Sequence, residues 1–190
     1  MPMTAVDQEF AQMMRDNRVF EDIDPSKLDL SKGVILVACC DGDQIDDRYR
    51  FWCSLLESHG LPQRVHLITR HGGALRLAEN SPLNKPGRTT DIDLIEEIEE
   101  AAPLKDIWTV ILEAHGPCGK ARACGLSLEA STDLHIRGKQ RLRSRRNDIT
   151  YATVYHIDWI HGNQPCKKRY YHFSQHRLQR ARDASLIPVS

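Results

Sequence analysis

The chain has 190 residues, which is enough for one domain with a substantial core and short for two. Apolar residues make up 41% of it, and its longest apolar run, at 34–40, is far below the roughly 20 residues of a transmembrane helix. The N-terminus lacks the basic start and apolar stretch of a secretory signal, so we expect a cytoplasmic protein. Its six cysteines should then be reduced thiols that are available to a metal.

Charge is distributed unevenly, although the formal net charge is zero. Residues 131–190 contain 12 Lys and Arg against 4 Asp and Glu, a net charge of +8, which leaves −8 for residues 1–130. This basic excess indicates a solvated helix face or a patch that meets the acidic part of a second copy. The more specific alternative is a surface that binds phosphate or nucleic acid, although no recognised nucleic-acid motif accompanies the basic residues.

The first predicted elements alternate between helix and strand. Helical spacing of apolar residues predicts a helix at 4–16, and residues 21–33 read as a polar, turn-rich connection. The apolar run at 34–38 shows no alternation, which predicts a strand that is covered on both faces. A helix at 46–60 and a second strand at 64–69 follow.

The middle of the chain continues this alternation. A loop rich in proline and glycine leads to a helix at 91–101, for which acidic residues in the first turn are favourable. The third strand is predicted at 107–114. Residues 127–146 are predicted to be mostly helical, with a break near Gly138.

The C-terminal part predicts a fourth strand at 151–159, a fifth, antiparallel edge strand within 160–173, and a helix at 174–184. Strands that alternate with helices indicate an α/β fold with a mostly parallel central sheet of about four strands plus the antiparallel edge strand, flanked by helices. We interpret residues 1–190 as one domain. It begins with a helical arm at 1–20 and ends in a basic hairpin and helix at 160–190.

Two of the predicted parallel strands end in side chains that bind metals. Cys39 and Asp41 follow the first strand, and His115 and Cys118 follow the third. Ligands in such sheets bind at the carboxyl ends of strands, near a switch in strand order. Zinc prefers thiolate and imidazole ligands, and a site with two cysteines, one histidine and an open position is a catalytic arrangement.

These motifs resemble those of the β-class carbonic anhydrases. That family has Cys-x-Asp-x-Arg after its first strand and His-x-x-Cys after its third, which here read CCDGD at 39–43 and HGPCG at 115–119. Its Arg-Asn-Ala-Gly loop after the second strand corresponds to RHGG at 70–73, in which Arg70 and Gly73 are kept. The resemblance covers about residues 4–160.

The resemblance implies a β-carbonic-anhydrase-like fold and Zn²⁺ held by Cys39, His115 and Cys118. It implies reversible hydration of carbon dioxide to bicarbonate by zinc-bound hydroxide, which Asp41 would orient. It further implies a homodimer or higher homo-oligomer, in which the N-terminal helix reaches across to the partner. The positions that would support this pocket are Arg70, His71, Gly73 and Gly119.

The chain departs from the family at Asp43, which stands where the family has the arginine that holds its aspartate away from zinc. Asp41 could therefore bind zinc as a fourth ligand and close the site, because a dication attracts an unpaired carboxylate. Alternatively another cation restrains Asp41, or the substrate has changed and Asp43 is an extra acid/base group. The candidate cations are Arg48, Arg70, Lys120 and Arg122.

Three rival functions follow from these features. The first is a catalytically silent relative with structural zinc, and the second is a hydrolase of carbonyl sulfide or carbon disulfide. The third is a nucleic-acid adapter that uses the basic C-terminal third. His71, which replaces the family's asparagine, is a second-shell donor, a proton shuttle or a plain loop histidine.

The other cysteines and histidines are interpreted as structural. Strand alternation points Cys40 away from Cys39, as a buried thiol, and Cys53 lies on an apolar helix stripe. The positions without a predicted role in the chemistry are Cys124, Cys166, His156 and His161.

Overall fold

The structure is a computed structural model that describes residues 2–161 and 164–188, with side chains for all of these except 160, 161 and 164–168. The described helices are α1 Ala5–Asp16, α2 Ile45–Ser58, α3 Thr90–Lys105, α4 Gly119–Ala123, α5 Leu128–Arg145 and α6 Gln175–Asp183. The strands are β1 Glu21–Asp22, β2 Val34–Ala38, β3 Val65–Thr69, β4 Thr109–Gly116, β5 Thr150–His161 and β6 Gln164–Phe173. Two 3-10 turns cover Pro25–Lys27 and Gly73–Arg76.

These strands form one sheet with the order β1-β6-β5-β4-β2-β3. β3, β2, β4 and β5 are parallel, whereas β6 is antiparallel to β5 and β1 is antiparallel to β6. The predicted α/β class and mostly parallel sheet are confirmed. The antiparallel strand β6 is not the edge, because Glu21–Asp22 pairs on its outer side. A two-residue polar strand has no periodicity, which is why the sequence indicated a connection there.

The core lies on both faces of β2 and β4. On one face, Leu36 and Ile111 pack with Trp52 of α2. On the other, Ile35 and Leu112 pack with residues of α3 and α5. Strand order reverses at β2, whose two neighbours are β3 and β4, so the carboxyl ends of β2 and β4 border the switch point where ligands bind in such sheets.

Helix α5 differs from its prediction because it continues through Gly138 without a break. A Cβ atom at Gly138 would lie 2.9 Å from the Cβ of Leu77. Glycine therefore allows α5 to approach the segment after the Gly73–Arg76 turn. The glycine that predicted a break in the helix is therefore needed for close packing.

Helix α1 packs on its own chain. Phe10 and Met14 are buried, and the Asp7 carboxylate accepts a hydrogen bond of 2.7 Å from the Leu128 backbone N–H at the start of α5. The contact with a partner that the resemblance implies for this helix stays a prediction. Here the arm covers the carboxyl end of β4 in the same molecule.

Many basic side chains of the C-terminal third form ion pairs within the chain. Two arginines of α5 pair with acids of α3, Arg141 with Asp91 and Arg145 with Glu99, each at 2.7 Å. Further pairs are Arg146–Asp148, Arg177–Glu21 and Arg182–Asp133. In three of these five pairs, the acid thus lies before residue 131. In the described part of the chain, no helix is both long and apolar enough to cross a membrane.

Candidate metal centre

Three potential metal ligands converge at the carboxyl ends of β2 and β4. One ligand atom each of Cys39, His115 and Cys118 lies within 4.8 Å of the others. All three residues are buried, with 3%, 3% and 7% of their surface exposed. Cys39 follows β2, His115 is in β4, and Cys118 precedes α4, so parallel pairing of two distant segments builds the cluster.

The donor set fits zinc. Both ring nitrogens of His115 are buried and have no hydrogen-bond partner among the described residues, which is costly for an imidazole unless a further ligand is bound. Two thiolates and an imidazole are the donors that zinc prefers. The Gly72 backbone N–H already donates to Cys39 Sγ at 3.2 Å, a contact that favours the thiolate form.

The two thiols interact through one proton. Their mutual hydrogen bond raises the pKa of Cys39 to about 12 and lowers that of Cys118 to about 6. Burial further raises the pKa of Cys39, whereas the backbone N–H groups of Ala121 and Lys120 help to lower that of Cys118. Cys118 is therefore the thiol that is ionised first, and a cation between the two sulfurs would release the shared proton.

Asp41 lies beside this cluster without belonging to it. Its Oδ2 atom is 4.0 Å from His115 Nε2, and 30% of its side chain is exposed. Its Oδ1 accepts a hydrogen bond of 3.1 Å from the Asp43 backbone N–H. Among the described residues, no lysine or arginine nitrogen lies within 4.0 Å of this carboxylate.

The candidate cations for Asp41 have other positions. Arg48 is fully buried, lies 3.5 Å from Glu113 and donates to the Cys39 carbonyl oxygen at 2.6 Å. Arg70 pairs with Glu97 at 2.8 Å. Lys120 is half-buried and Arg122 is exposed, and neither forms an ion pair with Asp41.

The predicted supporting positions differ in what they contact. Gly73 has φ +49°, and a Cβ atom there would lie 2.5 Å from the Cys39 backbone nitrogen. Only glycine allows this approach. In contrast, a Cβ atom at Gly119 would meet nothing within 4 Å. His71 and Asp43 are both exposed.

One buried acid beside the site, Glu113, was not identified from the sequence. Glu113 lies in β4 with no exposed surface, and Trp52 Nε1 donates to its Oε2 at 3.2 Å. Burial raises the pKa of Glu113, while Arg48 and Trp52 oppose that shift. The available signal was a single acid inside the apolar run VILEAH, since a charge in a buried strand requires a partner.

The other cysteines with described side chains lie outside the cluster. Cys40, Cys53 and Cys124 are free thiols, and all three are half-buried. Cys40 is thus less buried than predicted, and Cys53 is only half-buried although it lies on the predicted apolar stripe of α2. His156 is buried in β5 opposite His115. The side chains of His161 and Cys166 lie outside the described residues.

A small cavity adjoins the cluster on the side of the N-terminal arm. Its volume is about 30 Å³, and its lining includes His115, Cys118, Met3 and Asp7. A space of this size can hold a water molecule. The arm therefore forms one wall of the space next to two of the three ligands.

The chain is similar to known proteins in its structure only. No family model matches the chain, and no curated protein matches it. Among solved structures, the chain is similar to a variant of the β-carbonic anhydrase CafD of Aspergillus fumigatus, with 10% identity, TM-score 0.40, and coverage of 81% of this chain and 98% of that chain. CafA of the same fungus shows 14% identity and TM-score 0.37, with 97% of each chain covered.

A carbonic anhydrase from Streptococcus mutans shows 15% identity and TM-score 0.38, with 83% of this chain and 94% of that chain covered. These values are too low to assign a function, which has to come from the residues of the site.

Proposed function

We propose that Cys39, His115 and Cys118 bind a zinc ion and that the chain catalyses the reversible hydration of carbon dioxide to bicarbonate. The observation that carries the metal site is the convergence of three buried ligand atoms within 4.8 Å, one of them on a histidine whose ring nitrogens have no hydrogen-bond partner in the described part of the chain. The motif order at 39–43, 70–73 and 115–119 supports carbon dioxide as the substrate. Zinc held there supplies a Lewis acid that makes water a nucleophile near neutral pH.

The side chains around the cluster have distinct tasks in this proposal. In this proposal Asp41 Oδ2, which lies 4.0 Å from His115 Nε2, accepts a hydrogen bond from the attacking water and orients it. The Asp43 N–H holds the other oxygen of Asp41. Because Asp41 is partly exposed, a proton that reaches its carboxylate can pass to buffer in bulk solvent.

A catalytically silent zinc protein is the second candidate, and the surroundings of Asp41 favour it. Within the described residues, no arginine or lysine holds this carboxylate by an ion pair. Zinc could therefore draw Asp41 in as a fourth ligand, because opposite charges attract strongly where solvent is sparse. That shell would leave no position for water.

Stopped-flow hydration of carbon dioxide tests the proposal, with protein whose zinc content has been verified. Rates well above buffer that rise between about pH 7 and pH 9 are expected, since zinc-bound water titrates in this region. The matched control is Cys118→Ser. Stoichiometric zinc with a rate equal to buffer would contradict the enzyme and favour the silent protein, and carbonyl sulfide and carbon disulfide would then be assayed as substrates.

We also propose a cytoplasmic homodimer. The five cysteines with described side chains are all thiols, as a reducing compartment requires. Light scattering after size-exclusion chromatography is expected to give about twice the mass of the chain. A monomer at micromolar concentration would contradict the dimer without affecting the metal site.

A further inference from the structure

Beneath α2 lies a fully buried ion pair next to the metal centre. The Arg48 and Glu113 side chains have no exposed surface, and Arg48 Nε lies 3.5 Å from Glu113 Oε1. Trp52 fixes the other carboxylate oxygen with a hydrogen bond of 3.2 Å. Removing two charges from water is costly, and hydrophobic residues of similar volume are often at least as stabilising. General stability therefore does not explain why this position holds an ion pair, and the contacts of the pair indicate a more specific role.

The contacts of the pair connect both strands that carry metal ligands. Arg48 Nη2 donates to the Cys39 carbonyl oxygen at 2.6 Å, so the guanidinium fixes the backbone of the first ligand. Glu113 lies two residues before His115 in β4, and residues two apart in a strand point to the same face. One guanidinium thus ties the end of β2 to the end of β4.

We infer that Arg48, through Glu113, is a positioning residue for the metal centre. It holds Cys39 and His115 close together before a metal binds, so the ion meets ligands that are already arranged. Arg48 neither coordinates the metal nor contacts the reacting atoms, and it acts through the Cys39 backbone. This inference rests on the proposed zinc site.

The test removes both charges together. In the double variant Arg48→Met/Glu113→Gln, no unpaired buried charge remains, and glutamine can still accept the hydrogen bond from Trp52. The Cys39 carbonyl oxygen loses its donor. The matched control is Arg141→Met/Asp91→Asn, because Arg141 lies 2.7 Å from Asp91 and also donates to the Leu77 carbonyl oxygen at 3.0 Å, away from the ligands.

Zinc affinity is measured by competition with a chelating dye, and the geometry is followed by the visible spectrum of the Co²⁺-loaded protein. Groups that orient metal ligands typically change affinity about 10–100-fold when they are removed. We expect a loss of about tenfold or more with altered cobalt bands in Arg48→Met/Glu113→Gln, and a change below about threefold with unaltered bands in the control. Unchanged affinity, or an equal loss in both variants, would overturn the inference.

Trp52→Phe provides a second route if the double variant does not fold. It keeps both charges and releases only one oxygen of Glu113, so a loss of zinc affinity at the lower end of the usual range, about tenfold, is expected. Unchanged affinity would overturn the inference. Wild-type protein that binds no zinc would overturn both this inference and the proposed function, whereas zinc-binding wild type with unaffected variants would overturn the inference alone.

Discussion

At the scale of single residues, the Cys118 thiol is the more acidic of the two thiols in the candidate metal centre. It is the sulfur that ionises first, since its pKa is lowered to about 6 by the hydrogen bond from Cys39. A serine hydroxyl has no comparable ionisation and is a poor zinc ligand. In the proposed zinc site, the sulfur at this position therefore links metal binding to the stability of the surrounding loop.

Cys118→Ser should lower zinc content and thermal stability together, because metal binding and folding are coupled. We expect less than about half of the wild-type zinc after dialysis. Plasma emission spectroscopy and calorimetry measure the two quantities. Cys124→Ser, at a half-buried thiol outside the cluster, is the control. Full zinc occupancy in Cys118→Ser would remove Cys118 from the ligand set.

Asp43→Arg tests whether the missing arginine limits activity. Asp43 is exposed, so a longer side chain fits without repacking, and its guanidinium can reach the Asp41 carboxylate two residues earlier. We expect hydration of carbon dioxide to rise by about tenfold, as for a barrier lowered by roughly 1.4 kcal/mol. Asp43→Asn removes the acid without adding a cation. Equal activity of wild type, Asp43→Arg and Asp43→Asn would show that the residue at position 43 does not limit the hydration rate.

At the scale of elements, the turn Gly73–Arg76 is built against the end of β2. Gly73 combines a left-handed backbone with a distance that leaves no space for a side chain beside Cys39. The turn can therefore pack on the ligand loop only if its first residue is glycine. The sequence motif RHGG carried this information, although its physical reason needs the tertiary contact.

Gly73→Ala should destabilise the protein by roughly 1–3 kcal/mol, because it adds backbone strain and displaces the Cys39 segment. Urea unfolding measures the loss, and zinc affinity should fall with it. Gly119→Ala is the control, because a Cβ atom there meets open space. Equal stability of wild type and Gly73→Ala would mean that the turn tolerates the side chain.

At the scale of the whole molecule, a buried histidine makes stability depend on pH. His135 of α5 is fully buried, and its Nε2 lies 2.9 Å from the Leu112 carbonyl oxygen of β4. Burial lowers its pKa from 6.5 to about 3, and nearby Lys139 acts in the same direction. The folded protein therefore binds fewer protons than the unfolded chain. This contribution is fully present above pH 6.5 and is lost as the pH falls towards 3.

We expect the free energy of unfolding to fall by up to about 1.4 kcal/mol per pH unit below pH 6.5 through this residue. His135→Gln can keep the hydrogen bond to Leu112. This variant should reduce the slope of the unfolding free energy against pH by the contribution of one titrating proton. Urea titrations of metal-free protein between pH 4 and pH 7 measure both slopes. His59→Gln, at an exposed position, is the control. An unchanged slope in His135→Gln would assign the acid sensitivity to other groups.

The sequence by itself determined the alternation of helix and strand and the three candidate ligand positions. Apolar runs such as 34–38 specify buried strands through the hydrophobic effect, and ligand chemistry depends on residue type, so both can be read locally. It could not reveal the β1 pairing or the continuous α5, because neither a two-residue strand nor a packing glycine has a periodic signal.

Only the tertiary structure decided which groups meet at the metal centre. Parallel pairing of β2 with β4 brings Cys39 to His115 across more than seventy residues of chain, and the same pairing directs Arg48 to Glu113 instead of Asp41. A buried guanidinium pairs with the nearest buried carboxylate because unpaired charge is costly away from water. The spacing of residues along the chain does not give the distances between strands of a sheet. The fold therefore determined which groups surround Asp41.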